Sequence, residues 1–131
     1  MSLRWSHRAF AALVAEALDD LPPFVQERME NVAVLVEDEP GTERLQRLGY
    51  PPDQDLLGLY EGINQLDRSS GYHLVTPDRI TLFRWPILEE VGSGNRQAIR
   101  EEIRRTVIHE VAHHFGIDDA ELAQLEGPRG H

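Results

Sequence analysis

Apolar residues recur every four positions from Ile99 through Ile103, Val107 and Val111 to Phe115, with Ala98, Ile108 and Ala112 beside them. That period writes a single buried stripe on an amphipathic helix, predicted over residues 95–115. Gly92, Ser93, Gly94 and Asn95 supply the loop before it and a candidate cap. A first helix is predicted over residues 5–21, with Ser6 as N-cap and Phe10, Leu13, Val14 and Leu18 on one face. Pro22-Pro23 stops it. Residues 31–37 form a strand with Val32, Val34 and Val36 on one face and Ala33 and Leu35 on the other. Apolar on both sides, it reads as a central strand covered above and below. Residues 56–63 and 79–85 are two further strands, the second alternating Ile80 and Leu82 against Thr81 and Phe83. Short helical turns are expected over 42–48 and 86–90, and a last short helix over 118–125. The polar segment 64–78, centred on Ser69-Ser70-Gly71, is long enough for a structureless loop to be either functional or mobile.

These elements add up to one α+β domain over residues 1–131: a small twisted mixed sheet packed with an N-terminal helix and a long helix. A chain of 131 residues is large enough for a modest core without covalent staples. The most apolar N-terminal stretch, residues 10–18, is broken by Glu16 and has a helical period, unlike a secretory leader. No stretch has the length of a membrane span, so a cytoplasmic protein that engages no membrane is expected.

Composition removes whole classes of chemistry. The chain has no cysteine, hence no disulfide, thiolate ligand or cysteine nucleophile. It also has no lysine, which excludes Schiff-base catalysis and a Walker-type phosphate site. A net charge of −10 argues against nucleic acid, whose binding requires a basic face. Arg96, Arg100, Arg104 and Arg105, with Glu101 and Glu102, are expected to form a solvated face early in the long helix.

The chemistry gathers at that helix's far end, in His109-Glu110-Val111-Ala112-His113-His114-Phe115-Gly116-Ile117-Asp118-Asp119. His109 and His113 are four residues apart, so on a helix both imidazoles leave one face a turn apart. That spacing suits two corners of a zinc tetrahedron, with Glu110 beside them as general base. A bare H-E-x-x-H arises by chance in roughly one chain in a hundred of this size, and the later Gly and Asp lower that by about two orders of magnitude. Two solvated histidines on a surface helix are the plain alternative; their place at the margin of a buried stripe tells against it. Gly116 can take the left-handed conformation that ends a helix and turns the chain back. Asp119, six places after His113, then becomes the third ligand of one zinc ion per chain. Asp118, with Glu121 three residues on, reads as a capping box for the final helix. Tyr60, Tyr72 and His73 are candidate oxyanion donors, with core packing the competing role for Tyr60. His114 points about 100° away from His113, which suits a charged helix terminus better than the same metal. His7 and His131 are expected at the surface.

The string resembles the metzincin zinc signature with Asp in place of the usual third His. With Leu56-Leu57-Gly58-Leu59-Tyr60-Glu61-Gly62, Arg79-Ile80-Thr81-Leu82-Phe83-Arg84 and Pro86-Ile87-Leu88-Glu89, most of the chain is similar to a family of very small bacterial proteins described as minimal zincins. The resemblance implies a zincin-like fold and a zinc metallopeptidase acting on a peptide or protein substrate. It departs from the metzincins in one respect: only Met1 and Met29 are present, so no methionine follows Asp119 to form their methionine turn. Two other classes stay open. One is a regulatory metal-binding protein that keeps the site without turnover; the other is a helical interaction module whose histidines are bystanders. An extended peptide would add to a sheet edge formed by residues 79–85 or 56–63.

Overall fold

The computed structural model describes residues 5–62 and 77–126. In chain order the elements are α1 (His7–Leu18), α2 (Pro23–Arg28), β1 (Val32–Glu37), α3 (Thr42–Arg47), β2 (Gly58–Glu61), β3 (Asp78–Phe83), α4 (Arg84–Val91), α5 (Arg96–His114) and α6 (Asp119–Glu126). Ser6 caps α1 as expected, its hydroxyl accepting the Ala9 N–H at 3.2 Å. Trp5 lies before the cap rather than inside the helix, and its indole N–H donates to the Gly94 carbonyl at 3.1 Å. Pro22-Pro23 ends one helix and also starts another. Pro23 opens α2, where a missing N–H has no intrahelical partner to lose. The same rule moves the end of the third strand. Pro86 occupies the first turn of α4, so Arg84 and Trp85 are helical and β3 stops at Phe83.

The sheet runs β1-β3-β2, with β1 parallel and β2 antiparallel to β3. This corrects the expected place of β1, which is an edge strand. β3 is central and has Ile80 through Phe83 buried, whereas Leu35 of β1 is 40% exposed. Apolarity on both faces does not by itself make a strand central. On β1 the Val36 carbonyl accepts from His7 Nε2 at 2.9 Å, a side chain standing where a fourth strand would pair.

Helices α1 and α5 cover one face of the sheet. Phe10, Leu13, Ile103, Val107 and Val111 pack there with Ile80 and Leu82, so the stripe of α5 from Ile99 to Val111 is the centre of the core, whereas Phe115, its expected last member, is 45% exposed. The charges expected to be solvated on α5 are instead largely used to hold α1. Arg96 and Arg100 pair with Glu16, and Arg104, only 6% exposed, donates through Nε to the Asp20 carbonyl at 2.8 Å. A helix–helix seam needs charge where its apolar stripe runs out, and the sequence pattern does not distinguish that from open surface. No helix among the described residues is long and apolar enough to cross a membrane.

Helix α5 also crosses β2 closely. A Cβ built on Gly58 would lie 2.8 Å from Thr106 Cγ2 and 3.3 Å from the Thr81 carbonyl oxygen. Backbone on one side and a β-branched residue on the other leave no room for a methyl group. Gly58→Ala is therefore expected to lower stability by about 1–3 kcal/mol, the usual range for overpacking, as read by urea denaturation. An unchanged denaturation midpoint would show that the helix and strand separate freely.

Candidate metal centre

The helix that carries the site is fixed at both ends. Asn95 Oδ1 accepts the Ala98 N–H at 2.9 Å at its start. At its end Gly116 adopts φ +74°, the Gly116 N–H donates to the His113 carbonyl at 3.2 Å, and the Ile117 N–H to the Ala112 carbonyl at 2.8 Å. Those two bonds are a Schellman ending, with half-buried Ile117 packed against the core behind it. The expected left-handed glycine is therefore present, and it turns the chain sharply after the histidines.

Two neighbouring stripes of α5 divide the chemistry. Thr106, Glu110 and His114 face β2, while Arg105, His109 and His113 lie along the next stripe, at the same i,i+4 spacing. His109 and His113 are exposed, with ring centroids 6.1 Å apart and planes tilted by 39°. A cleft of about 250 Å³ opens between residues 55–58 and this side of the helix, and His109, Glu110 and His113 line it with Asp55 and Glu102. Glu110 is half-buried at the inner wall, and the Tyr60 N–H donates to its Oε1 at 3.3 Å. Burial pushes the Glu110 carboxyl above its ordinary value; the Tyr60 N–H and the charge of His113 pull the other way.

Tyr60 is built into this wall. Its hydroxyl donates to Asp78 Oδ2 at 2.9 Å, and its ring stacks on His114 with centroids 3.9 Å apart. Burial, with Asp78 adding to it, pushes the phenol well above its ordinary value. With the hydroxyl committed to Asp78, what Tyr60 offers the cleft is its backbone N–H. Tyr72, His73 and His131 lie outside the described residues. His114 turns away from the cleft, its Nε2 3.9 Å from Asp78 Oδ2.

Past the glycine turn, Asp118 is the cap. Its Oδ1 accepts the Glu121 N–H at 2.8 Å, and its own N–H donates to Glu121 Oε1 at 3.4 Å. Asp118→Ala should cost about 1 kcal/mol in a thermal melt, the usual loss for a removed N-cap. No loss of stability would place the end of α6 elsewhere. Asp119 opens α6 and is exposed. Among the described residues no three His, Cys, Asp or Glu side chains stand together as a metal-binding group. The structure thus assembles His109, Glu110 and His113 and does not bring Asp119 to them. Two accessible imidazoles a turn apart, with a carboxylate behind them, fit a zinc ion as two of its ligands.

A family model described as zincin-like metallopeptidase matches residues 29–128. The chain belongs to that family. Among curated proteins none matches the chain. The matched span runs from the end of α2 to beyond α6 and so contains the whole sheet and the cleft.

The site holds residues that the sequence pattern did not single out. Glu102 and Arg105 line the cleft two turns and one turn before His109, where charge on a helix face is indistinguishable from solubilising charge. The Tyr60 N–H left only an indirect trace, the alternate spacing of Gly58 and Tyr60 on β2 with Gly62 just beyond it.

Proposed function

We propose that this chain is a cytoplasmic zinc-dependent peptidase in which His109, His113 and Asp119 hold one zinc ion and Glu110 is the general base. The observation that carries this reading is a half-buried carboxylate set one residue from an accessible i,i+4 histidine pair in a cleft. A zinc ion bound there would acidify water and polarise the scissile carbonyl. Glu110 takes the proton from the attacking water and returns it to the leaving amine. Burial suits it to this task, because raising the carboxyl above its ordinary value makes it a better proton acceptor.

The substrate is an extended peptide rather than a folded protein, since a cleft of about 250 Å³ on so small a domain leaves little surface for deep specificity pockets. Among the described residues strand β2 is the sheet edge beside it; β3, the other candidate, has a neighbour on each side. Backbone groups on the outer side of β2 would hold a peptide by strand addition. One observation favours the alternative, a metal-binding regulatory protein with weak or no turnover: among the described residues the third ligand is not assembled.

A peptide library incubated with zinc-loaded protein, with and without a chelator, separates the two. Cleavage that stops on chelation and returns with zinc is the expected result. Cleavage that persists in the chelator would sink the mechanism, and zinc binding without cleavage of any peptide would favour the regulatory protein.

A further inference from the structure

On β2 the hydrogen-bonded rungs to β3 fall on alternate residues. The Phe83 N–H donates to the Leu57 carbonyl at 2.9 Å, and Gly58 is paired with Leu82, Leu59 with Thr81 and Tyr60 with Ile80. An antiparallel ladder alternates, so residues 57, 59 and 61 bond inward while Gly58 and Tyr60 turn their N–H and carbonyl groups to the open edge. The Tyr60 N–H is thus a spare edge donor, and it goes to Glu110 Oε1.

Three features put it there. Gly58, without a Cβ, lets α5 lie against β2 at Thr106, one turn before Glu110. Tyr60 is pinned from below by Asp78 and stacked from the side by His114, one turn after Glu110. Gly62 leaves room for that imidazole, whose Cε1 would lie only 3.3 Å from an added Cβ. Each turn of the helix stripe Thr106, Glu110, His114 therefore meets one outward position of the strand.

We infer that Tyr60, held by Asp78 and His114, is a positioning residue whose backbone N–H fixes the orientation of the Glu110 carboxylate. The inference rests on Glu110 being the base of the proposed peptidase. One Glu110 oxygen is taken by the strand, which leaves the other to face the cleft and the histidines. A carboxylate on a flexible two-carbon stem would otherwise sample several rotamers, and proton transfer in a productive pose demands one. A peptide lying along the same edge has the Gly58 groups to pair with, and it leaves this N–H to Glu110.

The test replaces the peptide bond before residue 60 with an ester, using the α-hydroxy analogue of tyrosine, which deletes the N–H and keeps the side chain. The zinc-loaded protein should lose about tenfold or more in kcat with KM unchanged. The same ester at Gly58, whose outward N–H would pair with the peptide, should instead raise KM and leave kcat within about twofold. Asp78→Ala should lower kcat in the same direction as the Tyr60 ester, and Asp78→Asn, which still accepts from the phenol, should restore most of it. In metal-free protein the Tyr60 amide proton should move upfield and exchange faster in Glu110→Ala, a change that needs no turnover to be seen.

A rise in KM at constant kcat in the Tyr60 ester would assign the N–H to the substrate and overturn the inference. So would a Tyr60 amide that ignores Glu110→Ala. Loss of activity in Glu110→Gln with an unimpaired Tyr60 ester overturns the positioning role alone. Full activity in Glu110→Gln overturns the peptidase reading with it.

Discussion

Glu110→Gln is expected to lower peptide hydrolysis by about two to four orders of magnitude, the range that a positioned general base contributes. In metal-free protein at neutral pH the same change should raise the melting temperature. Burial raises the folded-state pKa of Glu110 above its unfolded value, so folding favours the protonated carboxyl. The stability attached to that proton is fully present below the unfolded pKa and is lost as pH rises through the folded one. At neutral pH the wild type therefore folds with a half-buried ionised group that the neutral amide avoids. The amide oxygen still accepts from the Tyr60 N–H, so nothing else in the wall is disturbed. The stabilisation should shrink as pH falls through the carboxyl range and vanish below it. Melting curves of both proteins across that range, with hydrolysis assays at neutral pH, test the two effects separately. A variant that is inactive yet no more stable at neutral pH would show that Glu110 is better solvated than its burial implies.

The long helix and its chemistry were legible because their signals are local. The stripe from Ile99 to Phe115 repeats at the helical period, Asn95 and Gly116 mark its ends, and the capping pair Asp118 and Glu121 lies within one turn. Each needs only neighbours in sequence. What was not legible depends on partners far along the chain. The sequence of β1 cannot say that His7 stands at its outer edge, nor that β3 lies between it and β2. Arg104 looks like any helix-surface arginine until Asp20 is found beside it. The site divides in the same way. His109, Glu110 and His113 come from consecutive turns of one helix, so spacing alone places them together. The Tyr60 N–H arrives from a strand fifty residues away and leaves no side-chain signature, because a backbone amide is present at nearly every residue.

Zinc added to the metal-free protein should bind at about one ion per chain and raise its stability, by about 2.7 kcal/mol when free zinc is a hundred times its dissociation constant. The double variant His109→Ala/His113→Ala should show neither effect. Both imidazoles are exposed and belong to one rigid helix, so they contribute their spacing to the ion at no conformational cost to the backbone. Asp119 is the demanding part of the site. Its carboxylate stands outside any assembled donor group, yet it follows a glycine turn whose Gly116 has no neighbour within 4 Å of an added Cβ. Ile117 and Leu122 pack on the core either side of the exposed residues 118–120, so the ion has to draw that short segment to the histidines while both anchors hold. Zinc should therefore order the segment from Gly116 to Asp119, seen as slower amide exchange there on titration. Asp119→Ala should weaken zinc binding by about tenfold or more, as loss of one of three protein ligands requires. Asp118→Ala should leave the affinity nearly unchanged and lower only the melting temperature, since its carboxylate is already spent on the Glu121 N–H. If the two aspartates exchange these effects, the ligand and the cap have been assigned the wrong way round. If neither alters zinc affinity, the third donor lies elsewhere on the cleft wall, where Asp55 and Glu102 are the next carboxylates to substitute.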